Sequence, residues 1–159
     1  MSSDVALRWY WKDEWDFDTI PPDGPAHQLL QAILICAKGD GDLAGAERDW
    51  VVGLGAMHQV ADDKLEALGS YGASDDLAST VEADPLVAEF GRRATAYFAI
   101  RASQADGDLD SGERATIEGM AAQAGLTGEL VRSLFALVEA ENKLKALRRV
   151  LLLPEGAPF

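Results

Sequence analysis

The chain has 159 residues, 48% of them apolar, enough to close one hydrophobic core of ordinary size. Acidic residues outnumber basic ones 27 to 14, and the net charge of −13 argues against a nucleic-acid surface or docking on anionic lipid. Divalent cations and basic protein surfaces suit such a charge better, one cysteine (Cys36) allows no disulfide within the chain, and two histidines (His27 and His58) cannot build a histidine-rich metal site.

The N-terminus carries no secretory signal pattern. The most apolar run, Leu29 to Ala37, is far shorter than the ~20 residues of a membrane helix. These features predict a soluble, cytoplasmic protein with no direct membrane insertion. Residues 1–24 form an arm of distinct character. Trp9, Tyr10, Trp11, Trp15 and Phe17 are interleaved there with Asp13, Glu14, Asp16 and Asp18, and Pro21-Pro22-Asp23-Gly24 follows. Two readings stand. The aromatics fold back onto the core, or Trp9, Trp11 and Trp15 anchor a protein partner.

Residues 25–154 read as helical throughout, with 155–159 as a short tail. Pro25 suits the first turn of a helix whose stripe is Ala26, Leu29, Leu30, Ile33, Leu34 and Ala37. Cys36 lies in that run and reads as a small buried residue. The next helix runs from about Ala44 to Gln59, with Ala46, Trp50, Leu54 and Met57 on one face. Asp62 is a candidate N-cap for a short helix, and Ser74 opens another with Asp75 and Asp76 in its first turn. Asp84-Pro85 is a strong helix start, followed by Leu86, Phe90, Ala94, Tyr97 and Phe98 as the apolar stripe. Ile117, Met120, Ala121 and Ala124 form the next stripe. Thr127 caps a helix bearing Leu130, Leu134, Leu137 and Val138. A last helix, about Asn142 to Leu153, is stopped by Pro154.

Between these helices one acidic turn occurs twice. Lys38-Gly39-Asp40-Gly41-Asp42-Leu43-Ala44-Gly45-Ala46-Glu47 and Gln104-Ala105-Asp106-Gly107-Asp108-Leu109-Asp110-Ser111-Gly112-Glu113 align at an offset of 66 residues, and both continue into arginine. The match extends through Gly53 and Gly119, then Ala56 and Ala122. The predicted fold is therefore all-α: a compact bundle of about 7–8 helices built from two pseudo-symmetric helix–acidic turn–helix repeats.

Asp-Gly-x-Leu-x-x-x-Glu matches the second half of an EF-hand calcium loop. The first and third loop positions fall on Cys36 and Lys38 in one copy and on Ala102 and Gln104 in the other, so neither copy is a complete loop. A divalent cation (Ca, Mg or Zn) would have to be held by Asp40, Asp42 and Glu47 in the first turn, and by Asp106, Asp108, Asp110 and Glu113 in the second. Helix capping competes as an explanation. Asp110-Ser111-Gly112-Glu113 fits a capping box, whereas the first copy has Ala44 at the N-cap place.

The stretch from Gln104 to Arg114, leading into Ile117, Met120 and Gly125-Leu126-Thr127, resembles the tellurite-resistance TerB family and the related central domain of the DjlA co-chaperone. The resemblance covers about residues 25–153. It implies a compact all-helical fold, a role in tellurite and other stress resistance, protein partners in membrane-linked assemblies, and divalent cations at the acidic turns. The positions that carry over are Asp40, Gly41, Asp42 and Glu47, with Asp106, Gly107, Asp108 and Glu113. The favoured function is a non-enzymatic interaction module with no catalytic residues. Two alternatives stay open: a metal-dependent hydrolase using paired carboxylates, and a purely structural domain that docks through the aromatic arm.

Overall fold

The computed structural model describes residues 2–22, 24–39, 41–105, 107, 109 and 111–156. Among these are eight α-helices and one π-helical segment: α1 (Ser2–Trp15), α2 (Ala26–Lys38), α3 (Gly45–Met57), α4 (Asp62–Ser70), α5 (Leu77–Glu82), the π segment (Val87–Gly91), α6 (Arg92–Ser103), α7 (Ser111–Gln123) and α8 (Gly128–Leu152). No described residue lies in a strand. The all-α expectation holds.

Two helices supply half of the buried core. α2 buries Leu30, Ala32, Ile33, Leu34, Ile35 and Cys36, which is wider than the single stripe its spacing predicted. α6 buries the continuous run from Thr95 to Ile100, then Ala102 and Ser103. They pack on each other, α3, α5 and α7 close around α2, and α7 and α8 close around α6. A helix enclosed on several sides is apolar around most of its circumference. Cys36 is one of these enclosed residues, and burial pushes its thiol pKa up to about 12, as expected of an inert core cysteine.

The 66-residue offset recurs in the backbone. α3 and α7 have 13 residues each and start at Gly45 and Ser111. After α3, His58, Gln59 and Val60 donate their N–H groups to Leu54, Ala56 and Gly55. After α7, Ala124, Gly125 and Leu126 donate to Met120, Ala122 and Ala121, the same three bonds at corresponding positions. Leu65 then donates to Ala61, and Val131 to Thr127.

Several elements depart from expectation. α3 turns Glu47, Val51 and Gly55 inward, one position over from the predicted Ala46–Trp50–Leu54 face. Asp62 is the first residue of α4, with Ala61 as its cap, so its charge serves the helix dipole. Asp76, rather than Ser74, caps α5, accepting the Ser79 N–H at 2.9 Å. Asp84 caps as predicted, accepting from Leu86 and Val87. The helix it starts then widens into the π segment. A π turn shifts the phase of the stripe, so Leu86 and Phe90 end 46% and 67% exposed while Tyr97 and Phe98 are buried. The two helices predicted after Thr127 are one. No breaker lies between Val138 and Lys143, and Lys143 bonds Glu139 one turn back across the junction.

The arm is helical too. Leu7 and Trp11 of α1 are buried, and Trp15 packs edge-on against Tyr97 and Phe98 of α6.

Candidate functional site

The acidic turns come first. Asp40, Asp106, Asp108 and Asp110 lie outside the described residues. Of the remaining candidates, Asp42 is exposed, Glu113 is half-buried and Glu47 is buried at 4% exposure. The Glu47 carboxylate accepts the Ala44 N–H at 2.8 Å, the half of a capping box that does not need a side-chain acceptor at the N-cap. Helix capping thus gives Glu47 a structural task that the alanine at the N-cap had obscured. Lys38 turns away from the first turn and donates to the Gly72 carbonyl at 3.0 Å. Gly39, at φ 56°, abuts Thr116 of α7 so closely that a Cβ would collide with it, which sets the first turn beside the helix opened by the second. Among the described residues, no three His, Cys, Asp or Glu side chains converge as a metal site.

The arginine after each repeated glutamate ties its helix to the next one. Arg48 donates to the Leu68 and Tyr71 carbonyls at 3.0 and 2.7 Å, closing the end of α4. Arg114 lies over the Phe135 ring of α8 at 4.1 Å and pairs with Glu118. The duplicated motif therefore has packing work in both copies.

A second candidate was not visible as a motif. An apolar groove of about 640 Å³ runs between α1, the Pro21–Pro25 connection, the π segment and α8. Trp11, Trp15, Phe17, Leu29, Phe90 and Leu137 wall it, and Glu14, Arg93 and Glu141 bring charge to it. Its aromatic wall is continuous: Trp11 stacks on Phe17 at 5.7 Å, and Trp15 meets Tyr97 and Phe98, each at 5.9 Å. Of the three tryptophans considered for partner contact, Trp11 and Trp15 belong to this wall, and Trp9 is 65% exposed. His58 lines the groove beneath Trp11, and burial drives its pKa down to about 4.

A polar chain crosses the groove's α6–α8 side. Arg101 donates to the Tyr97 hydroxyl at 3.0 Å, and that hydroxyl donates to the Glu141 carboxylate at 2.9 Å. Burial, then the bond to Glu141, raises the Tyr97 pKa to about 12, so the phenol stays a donor at neutral pH. The sequence signals for this groove were the crowded aromatics of the arm and the apolar Leu86 and Phe90, which the helical spacing had assigned to the core.

No family model matches the chain, and no curated protein matches it. Among solved structures, a tellurite resistance protein from Nostoc punctiforme superimposes with a TM-score of 0.92 at 32% sequence identity, covering 99% of this chain and 98% of the other. Coverage of that extent includes α1, for which the sequence resemblance had no counterpart. The chain belongs to the tellurite-resistance, TerB-like family.

Proposed function

We propose that the protein is a non-enzymatic interaction module acting in tellurite and related stress resistance in the cytoplasm, with a protein partner, and with its two acidic turns as divalent-cation sites. The observation that carries this reading is the full-length likeness to a tellurite resistance protein at 32% identity. Two features of the chain support it. The groove beside α1 is walled by aromatic and aliphatic side chains, a surface suited to holding another apolar surface. The acidic turns repeat with their carboxylates in register, and the net charge of −13 attracts cations.

Deleting the gene in its native host and restoring it on a plasmid tests the resistance role. Growth in potassium tellurite should fall on deletion and recover on restoration; unchanged tolerance overturns the role. Calorimetric titration of the metal-free protein with Ca²⁺, Mg²⁺ and Zn²⁺ tests the cation sites. Heat with one of these ions, lost in Asp40→Asn plus Asp106→Asn, is the expected result. An absence of heat with all three overturns cation binding and leaves the resistance role to be judged on its own assay.

A further inference from the structure

Among the described residues, α8 keeps its ties to the body of the chain as far as Asn142, which donates to Gln104 at the end of α6. The N-terminal half of α8 turns Val131, Phe135 and Val138 inward, but every residue from 142 to 152 is exposed. Leu144, Leu147 and Leu151 are 61%, 53% and 68% exposed. With Leu137 and Ala140 they follow alternating spacings of three and four residues, the seam of a two-helix coiled coil. Charge flanks this seam. Asn142 to Pro154 holds Lys143, Lys145, Arg148 and Arg149 and no acid, in a chain of net charge −13. A short helical segment with one apolar stripe and no packing is marginal in water.

We propose that α8 pairs antiparallel with α8 of a second copy of this chain, with Leu144 of one copy facing Leu147 of the other. Charge complementarity selects this occupant. With Leu137 and Leu144 at position a and Leu147 at d, Glu141 and Arg148 both take position e. In an antiparallel pair e faces e, so Glu141 of each copy meets Arg148 of the other, and the two-fold axis makes the contact twice. The same register sets Leu151 of the second copy against Ala140 of the first, extending the apolar surface that starts at Leu137 on the groove. An anionic membrane is the weaker occupant. The four cations are already counted in the −13, so the remainder of the chain carries −17 and would be repelled from acidic lipid. Arg148 on one side of the seam and Lys143 on the other also interrupt the apolar surface, which broadens only in the last turn through Val150 and Leu152.

Light scattering on the full chain after size exclusion, over a range of concentrations, tests the pairing. The expected mass is twice the 17.0 kDa of one chain, falling to one chain in Leu144→Glu and in Leu147→Glu with unchanged helical circular dichroism. Arg148→Glu should shift the transition to higher concentration. A short bis-maleimide should join two copies of an Ala140→Cys plus Leu151→Cys chain and fail to join copies of Ala140→Cys alone; Cys36 is buried and stays out of the reaction. A single-chain mass at every concentration overturns the proposal. So does a double mass that survives both glutamate substitutions, a double-cysteine chain that does not cross-link, or a monomer that co-floats with phosphatidylglycerol vesicles.

Discussion

The Trp11 indole and the His58 imidazole lie 4.7 Å apart, centroid to centroid, and this contact seats α1 on the C-terminal end of α3. Two effects act on His58. Its place at the C-cap of α3 favours the cation, whereas enclosure by aromatic rings favours the neutral ring. Burial wins, and the pKa falls to about 4. An unfolded histidine titrates near ~6.5. As pH falls from the unfolded value to the folded one, the unfolded chain takes up a proton that the folded chain refuses. Stability is therefore full above this window and declines through it, by on the order of 3 kcal/mol at its lower end. His27 is shifted in the same direction, first by burial, so the His58 share must be isolated by substitution. The denaturation midpoint of the wild type should drop more between pH 7 and pH 5 than that of His58→Phe. Tryptophan fluorescence should report the loosening of α1 in the wild type over the same range.

Gln59 and Gly125 hold the same place after their helices, at φ 59° and φ 80°. A left-handed backbone is unstrained for glycine and costly for glutamine. The first repeat therefore carries a strain that the second avoids. Gln59→Gly should stabilise the protein by about 0.5–1 kcal/mol. Gly125→Ala should destabilise it by about 1 kcal/mol. Space is not the reason in the second case, because the nearest atom to an added Cβ is Arg92 Nη1 at 3.5 Å. Opposite shifts of the urea midpoint in the two variants would establish the point; shifts of the same sign would refute it.

These positions also show what a sequence discloses. Helices opened by an unambiguous cap were legible, as at Asp84-Pro85 and Thr127, because the cap is local chemistry. The repeated turn was legible because both copies keep the same residue types at the same spacing, but the different tasks of Arg48, on the carbonyls ending α4, and Arg114, on the Phe135 ring, were not. The inward face of α3 was not legible. It is made of Glu47, Val51 and Gly55, two of which score as polar or featureless, and only the tertiary neighbours Leu30 and Leu65 reveal why they face inward. The groove escaped for a related reason. A π turn changes the phase of a stripe without leaving a residue signature, so Leu86 and Phe90 looked like core.

Gly55 is a close-approach glycine. A Cβ there would lie 2.8 Å from Leu65 Cδ2 and 2.9 Å from Leu30 Cδ1. The corresponding residue of the second repeat is Ala121, which is buried at 4% exposure, so α7 accommodates the methyl group that α3 excludes. Gly55→Ala forces Leu30, itself 2% exposed, out of its place. The expected loss is about 1–3 kcal/mol, despite the better helix propensity of alanine. Ala121→Gly should also destabilise, through lost burial and backbone entropy, by about 1 kcal/mol. A Gly55→Ala protein that melts at or above the wild-type temperature would show that the two leucines repack without cost.

Glu47 distinguishes capping from cation binding. Its carboxylate is buried and accepts the Ala44 N–H at 2.8 Å, while Ala44, at φ −65° and ψ 149°, has the backbone of an N-cap but no side chain to complete it. Capping alone predicts that Glu47→Ala loses about 1–2 kcal/mol whether or not metal is present, and that Glu47→Gln, which keeps an acceptor, loses less. A ligand role predicts that most of the loss appears only when Ca²⁺, Mg²⁺ or Zn²⁺ is added. Urea denaturation of both variants with chelator and with each ion decides between them, and the capping geometry favours equal losses. The same geometry predicts a gain. Ala44→Asp places a side-chain acceptor where the second repeat has Asp110, and an added N-cap is worth about 1 kcal/mol. An Ala44→Asp protein no more stable than wild type in chelator would mean that the N–H groups opening α3 are already satisfied.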